Sequence, residues 1–225
     1  MIKNIKGDAL KTDYNLLVHQ TNCVGVMGAG IAKQIKEQLL DAEAFTLYRT
    51  TCKEYGAKLL GKVQFLKIAD GKFVANVFGE NIPTGKGLDT NYEALRKGLQ
   101  KVHDIASEKG WKVTIPGLIG CGLAGGDWCH VLYSIIEPIF ADSDVELTIA
   151  YFLEDDFKKY VIGKNGAIIC PVCGQKMMLD SVDEEFELRV DCDKYWMCQN
   201  GESLACEKIR DNERFSVDFS YKEVC

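Results

Sequence analysis

Two glycine-dense stretches and one cysteine-dense stretch hold most of the residues in this 225-residue chain that could do chemistry. The first reads Asn22-Cys23-Val24-Gly25-Val26-Met27-Gly28-Ala29-Gly30-Ile31-Ala32 and follows the apolar run Leu16-Leu17-Val18. The second reads Ile115-Pro116-Gly117-Leu118-Ile119-Gly120-Cys121-Gly122-Leu123-Ala124-Gly125-Gly126-Asp127-Trp128 and also lies between a strand-like and a helix-like run. Glycine at this density is costly unless the backbone must turn tightly or approach something closely. Two such loops at strand ends, each opening a helix, can form one cradle of backbone N–H groups suited to an anion, and above all to a diphosphate. Neither loop has the Gly-Lys-Ser/Thr of a Walker loop, and the spacing from Gly25 to Gly30 is not the dinucleotide fingerprint G-x-G-x-x-G.

Few side chains near these loops offer acid–base chemistry. The candidates are Asn22, Asp127, Glu80 and His19. Asp127 could activate a water, but an aspartate opening a helix more often caps it. Glu80 reads as a solvent-facing loop residue and His19 as a satisfied strand-end histidine. A helix start lowers a thiol pKa, which would make Cys121 a nucleophile; its glycine neighbours favour a small residue in a close-packed loop instead. His103 and His130 fall inside expected helices.

The cysteines divide unevenly. Cys23, Cys52, Cys121 and Cys129 are scattered, whereas Cys170, Cys173, Cys192, Cys198, Cys206 and Cys225 crowd the tail. Cys170-Pro171-Val172-Cys173-Gly174 has the spacing of a zinc knuckle, two thiolates for one tetrahedral ion and a glycine to relieve the turn. Cys198 and Cys206 are the preferred second pair, after Tyr195-Trp196-Met197, with Cys192 as the alternative to one of them. A structural zinc held by Cys170, Cys173, Cys198 and Cys206 would supply folding energy that so short a segment otherwise lacks. Four cysteines leave no open coordination position.

The elements that must position these residues alternate. Strands are expected at Ile2 to Ile5, Tyr14 to Gln20, Lys62 to Ile68, Phe73 to Phe78, Lys112 to Ile115 and Val145 to Phe152. Helices are expected at Gly30 to Leu40, Asp41 to Tyr55, Asp89 to Lys109 and from Asp127 to Phe140. The third is the clearest, with Tyr92, Leu95, Leu99, Val102 and Ala106 at helical spacing and Gly110 as its stop. Ala69-Asp70-Gly71 signals a hairpin. Strands alternating with helices predict a three-layer α/β/α domain with a mixed, mostly parallel sheet over residues 1–160. A small zinc-ribbon-like β domain is expected over residues 161–225. Functional loops should then lie beyond the strand C-termini.

Composition excludes some classes. The hydrophobic fraction of 47% supports a sizeable core, and the formal net charge is -6. Most of that charge belongs to residues 161–225, with 8 Lys+Arg against 13 Asp+Glu. Such acidity opposes sequence-independent nucleic-acid binding, which needs clustered cations; only a local patch would permit it. No apolar run approaches the roughly 20 residues of a membrane span. The start of the chain lacks a secretory core, so a cytoplasmic location is expected.

Taken together, Gly7-Asp8-Ala9, the run Thr21 to Ala32 and the run Ile119 to Trp128 resemble the macro domain, the ADP-ribose-binding module. The resemblance covers roughly residues 1–155. It points to the branch of terminal ADP-ribose glycohydrolases, DNA-ADP-ribose-removing antitoxins and yeast-type ADP-ribose 1''-phosphate phosphatases. It implies ADP-ribose, free or on a macromolecule, as the partner. Asp8 would accept the adenine exocyclic amine beside the Ala9 backbone, and Phe152 would pack on adenine. Asn22 would lie near the distal ribose. Gly28, Ala29, Gly30 and Ile31 would offer amides to phosphate and ribose, and Ile119, Gly120, Cys121, Gly122 and Leu123 would close over the diphosphate. The chain departs from the branch where the chemistry lies. The glycohydrolases and antitoxins place a lysine after the strand matching Phe73 to Phe78, where this chain has Gly79-Glu80-Asn81; Lys86 lies further on. The glycohydrolases carry an aspartate directly after the match to Ile119-Gly120-Cys121-Gly122-Leu123, where this chain has Ala124. The resemblance therefore implies either hydrolysis of an ADP-ribose derivative with Asn22 or Asp127 taking part, or binding without turnover.

Overall fold

The computed structural model describes residues 2–162, 178–181 and 194–197. The chain divides into two compact units, Met1–Phe152 and Leu153–Cys225. The first is built on a six-stranded sheet of β1 (Ile2–Lys6), β2 (Leu16–Asn22), β3 (Val63–Ala69), β4 (Lys72–Glu80), β5 (Val113–Pro116) and β6 (Leu147–Tyr151). Their order in the sheet is β1-β6-β5-β2-β4-β3. All neighbours pair parallel except the β3–β4 hairpin, which closes through Gly71 at φ 68°. The sheet is thus mixed and mostly parallel, as the alternation of elements required.

The central strands are apolar on both faces because both are covered. On one face Leu17 and Val74 pack against Ile35 of α1 (Gly30–Gln38). Phe78 and Leu66 pack beside Tyr48 and Cys52 of α2 (Ala42–Tyr55). On the other face α3 (Tyr92–Lys109) sits so close to β4 that a Cβ on Gly98 would come within 2.3 Å of Val77 Cγ1. The two long helices α2 and α3 start where the sequence offers a cap. Asp41 accepts from the Ala44 amide and Asn91 from the Ala94 amide. Gly110 then ends α3 in the left-handed region, where glycine has no Cβ to clash.

After β5, α4 (Trp128–Val131), a π-helical turn (Leu132–Ile136) and α5 (Glu137–Phe140) follow one another without a break. Pro138 at the start of α5 has no N–H to donate, which suits a local widening of the hydrogen-bond ladder. Two boundaries differ from the sequence reading in ways that matter for the site. β4 continues through Gly79 to Glu80, because Glu80 still pairs with Asn22 of β2 and bridges to Thr90. α3 begins at Tyr92 rather than Asp89, because the Asp89 carboxylate instead accepts the Thr84 and Gly85 amides.

In the second unit, α6 (Glu154–Phe157) is followed by the helical turn Lys158–Ile162. A two-stranded antiparallel pair joins β7 (Met178–Ser181) and β8 (Lys194–Met197). β8 covers Tyr195-Trp196-Met197, the run that precedes Cys198. The expected zinc ligands Cys170, Cys173, Cys198 and Cys206, with Cys192 and Cys225, lie outside the described residues. Among the described residues no helix is long and apolar enough to cross a membrane, and no group of His, Cys, Asp or Glu could hold a metal ion.

Candidate functional site

In a parallel sheet the strands end together, so the segments that follow β1, β2, β4, β5 and β6 gather at one edge. There they enclose a cleft of about 620 Å³. Of the residues expected to contact a ligand, Asp8, Ala9, Asn22, Gly28, Ala29, Gly30, Ile31, Ile119, Gly120, Gly122, Leu123 and Phe152 line it. Cys121 does not. Its side chain turns back to donate to the Ile119 carbonyl at 3.2 Å, and burial, with Asp127 nearby, pushes the thiol up to about 12. A thiol held so firmly protonated is no nucleophile at neutral pH.

One wall is the start of α1. Its cap residue Ala29 has no side chain to offer, and the first return bond runs from the Lys33 amide to the Ala29 carbonyl. The amides of Gly30, Ile31 and Ala32 therefore have no acceptor within the helix. They carry the positive end of the helix dipole, and all three residues line the cleft. The Asn22 side chain holds the loop that leads there. Its Oδ1 accepts the Val24 and Val26 amides at 3.2 and 3.1 Å, and its Nδ2 donates to the Val26 carbonyl at 2.7 Å. The side chain expected at the distal ribose is thus first a brace, with one N–H left over.

The opposite wall is the loop after β5. Cys121, Gly125 and Gly126 spend their amides within the loop. The amides of Ile119, Gly120, Gly122 and Leu123 make no hydrogen bond among the described residues. Leu118 is the one non-glycine with positive φ among the described residues, at 65°, a cost that tends to concentrate at working loops. Gly120 at φ 74° rests on a polar floor that the sequence reading missed. Gln20 Nε2 donates to Thr90 Oγ1 at 2.9 Å, and Thr90 Oγ1 in turn donates to the Gly120 carbonyl. Gln20 Oε1 stays buried without a partner, among the described residues. The two walls thus present unclaimed N–H groups to one another, and no Lys, Arg or His lines the cleft.

The acidic candidates separate. Asp8 lines the cleft; its Oδ1 caps the short turn Ala9–Lys11 through the Leu10 amide at 3.0 Å. That leaves Oδ2 partly open, with Lys11 at 3.6 Å. Asp127 is absent from the lining, and its carboxylate accepts the Cys129 and His130 amides at 2.8 and 3.3 Å. The capping alternative therefore describes its geometry better than the catalytic one. His19 is fully buried, donates to Asn76 Oδ1 at 2.7 Å, and is pushed down to about 4 by burial, so it stays neutral. Glu80 is a correction to the sequence reading: it is 8% exposed and lines the cleft. Burial, then the charge of Asp89, raises its pKa. Reading β4 to its true end would have found it.

This architecture has known counterparts. The family model for the macro domain matches residues 18–135, over half of the chain. The chain belongs to the macro domain family. A DNA ADP-ribosyl glycohydrolase of Mycobacterium bovis is 32% identical over 158 residues, 66% of this chain and 42% of that protein. The chain thus spans less than half the length of that relative. Among solved structures, the macrodomain of Mycobacterium tuberculosis DarG superposes with a TM-score of 0.57 at 29% identity, covering 67% of this chain and 97% of the other. A protein of unknown function from Bacteroides thetaiotaomicron reaches 0.59 at 26% identity, covering 68% and 98%. The macro domain here lies within the first compact unit, and every residue lining the cleft belongs to that unit.

Proposed function

We propose that the cleft binds an ADP-ribosyl group and releases it hydrolytically from a carrier. One observation carries this: two rows of unclaimed backbone amides face each other across a cleft that has no cationic side chain. Amides at a helix start and in a tight loop bind a diphosphate through many short-range dipoles and need no net positive charge. The cleft volume of about 620 Å³ falls within the usual range for a small-ligand site. Phe152, 65% exposed at the cleft edge, offers a face for adenine, and the open Oδ2 of Asp8 offers an acceptor for its amine. Gly28, Ala29, Gly30 and Ile31 would meet the diphosphate from one side, and Ile119, Gly120, Gly122 and Leu123 from the other. The distal ribose then falls toward Asn22 and Glu80. Similarity to a protein named a DNA ADP-ribosyl glycohydrolase supports cleavage of the bond at that ribose.

Binding without turnover is the second reading. It is favoured by Ala124 within the second loop, in place of an aspartate, and by Gly79-Glu80-Asn81 in place of a lysine. Calorimetric titration with ADP-ribose tests the shared part. Gly120→Glu puts bulk and negative charge among the amides, and Asp8→Ala removes the adenine acceptor; both should weaken binding, and unchanged affinity in both would overturn the mapped cleft. Release of ADP-ribose from an ADP-ribosylated oligonucleotide or peptide separates the two readings. For the tail, the cysteine spacing supports a structural zinc and a second, small domain.

A further inference from the structure

Glu80 closes the end of β4 with its backbone fixed on both sides. Its carbonyl accepts the Cys23 amide at 3.0 Å, and its residue bridges to Thr90. The position of its carboxyl group in the cleft is therefore set by the sheet, not by a mobile loop. The residue is 8% exposed and lines the cleft, and its carboxyl group makes no hydrogen bond or ion pair among the described residues. A carboxyl group fixed in a cleft without a protein partner is free to meet a ligand, and groups whose protonation the surroundings perturb concentrate where chemistry uses them.

Two titratable groups face it. Cys23, on the loop after β2, is itself pushed up to about 11, chiefly by burial, and stays a neutral thiol. Asp89, on the loop before α3, accepts from Thr84 Oγ1 at 2.6 Å and from the Thr84 and Gly85 amides at 2.8 Å. Those donors, the Thr84 hydroxyl first, hold Asp89 below the usual carboxylate range. Neighbouring carboxyl groups pushed in opposite directions mark a proton holder and a fixed charge. Of the two, Glu80 is the one disposed to hold a proton.

We propose that Glu80 is the catalytic proton-transfer residue of this cleft, acting on the bond between the bound ADP-ribosyl group and its carrier. The proposal rests on the reading of the cleft as an ADP-ribosyl site. The protonated Glu80 carboxyl gives its proton to the carrier atom, oxygen or nitrogen, as the bond from that atom to the anomeric carbon breaks. The bonding pair leaves with the carrier. A water oxygen then bonds to the anomeric carbon and surrenders a proton to the Glu80 carboxylate. One water is consumed, the carrier departs protonated, ADP-ribose gains an anomeric hydroxyl, and Glu80 is restored. No oxidant, metal or second acid is required, so the missing lysine and aspartate of the resembled branch are not needed.

The test uses the full chain, with ADP-ribose for binding and two carriers for turnover, an ADP-ribosylated oligonucleotide and an ADP-ribosylated peptide. Glu80→Gln should bind ADP-ribose within about threefold of the parent yet release it at least about 100-fold more slowly, the lower end of acid–base contributions. The parent rate should fall as pH rises, because the working form is protonated. Asp89→Asn should move that fall to lower pH, and Glu80→Asp should keep a pH-dependent rate at reduced size; a purely structural role would move neither. Glu80→Gln turning over within about threefold of the parent would overturn the proposal. So would a parent rate that does not change with pH, or a parent that binds ADP-ribose and releases it from neither carrier. A parent that does not bind ADP-ribose at all would instead strike the reading of the cleft.

Discussion

Gly120→Ala tests whether the second loop works through its backbone shape. Gly120 sits at φ 74°, where an L-residue pays about 1–2 kcal/mol. Its new Cβ would lie 2.7 Å from Gln20 Oε1 and 3.2 Å from Thr90 Oγ1. Gln20 must then move, and its bond to Thr90 is lost at a net cost of about 1 kcal/mol. The combined penalty is about 2–3 kcal/mol. If the loop relieves that strain by relaxing in the free protein, binding must restore the original shape, and ADP-ribose affinity falls roughly 30- to 150-fold. Gly122→Ala is the matching control, because a Cβ there meets nothing within 4 Å and φ lies outside the left-handed region. It should leave the melting temperature unchanged and weaken binding only through contact with the ligand. Calorimetric titration with ADP-ribose, beside thermal melts of each variant, reads both effects. A folded Gly120→Ala protein that binds within about threefold of the parent would refute the argument that this loop's conformation carries recognition.

Asp127→Ala removes a helix cap and should cost about 1 kcal/mol in denaturant unfolding while changing ADP-ribose release by less than about threefold; a loss near 100-fold in a folded variant would return Asp127 to the chemistry. Glu137 is pushed from 4.5 to about 7 by burial. A carboxyl raised in the folded state contributes its full stability below the unfolded pKa and loses it as pH rises through the folded value. Glu137→Gln should therefore be neutral near pH 4 and stabilising near pH 8, by about 1–2 kcal/mol once partial exposure is discounted. Equal effects at both pH values, read from urea midpoints, would contradict the assignment. For the tail, a chelator should release about one zinc per chain and abolish tail structure while ADP-ribose affinity holds; absence of zinc by elemental analysis of the purified chain would remove that expectation.

Much of the scaffold was legible because its causes are local. Asp41, the heptad-like run from Tyr92 to Ala106, Gly110 and the Asp70-Gly71 turn each act over a few residues, and the structure uses them so. The strand order was not legible, because β1 pairs with β6 across most of the first unit and local periodicity holds no information about that partner. The same separation hid the floor of the cleft. Gln20, Thr90 and Gly120 lie far apart in sequence and meet only through the sheet. Glu80 was misjudged for a related reason: Gly79 weakens the strand signal, so the last two residues of β4 looked like loop. Asn22 could be named but not its task, since a bracing amide and a ligand-facing one have the same sequence.

On the proposed reading, a cleft that held its ligand with main-chain dipoles would have a further property. Lysine and arginine attract anions over a Debye length, and added electrolyte screens that pull. Fixed amides act only at contact, so there is little to screen. Affinity should therefore be nearly flat from dilute buffer to near-molar potassium chloride. Stray orthophosphate and sulfate should compete poorly, since neither reaches both walls at once. The corresponding sacrifice is speed: without long-range steering, capture proceeds at an unguided diffusional rate.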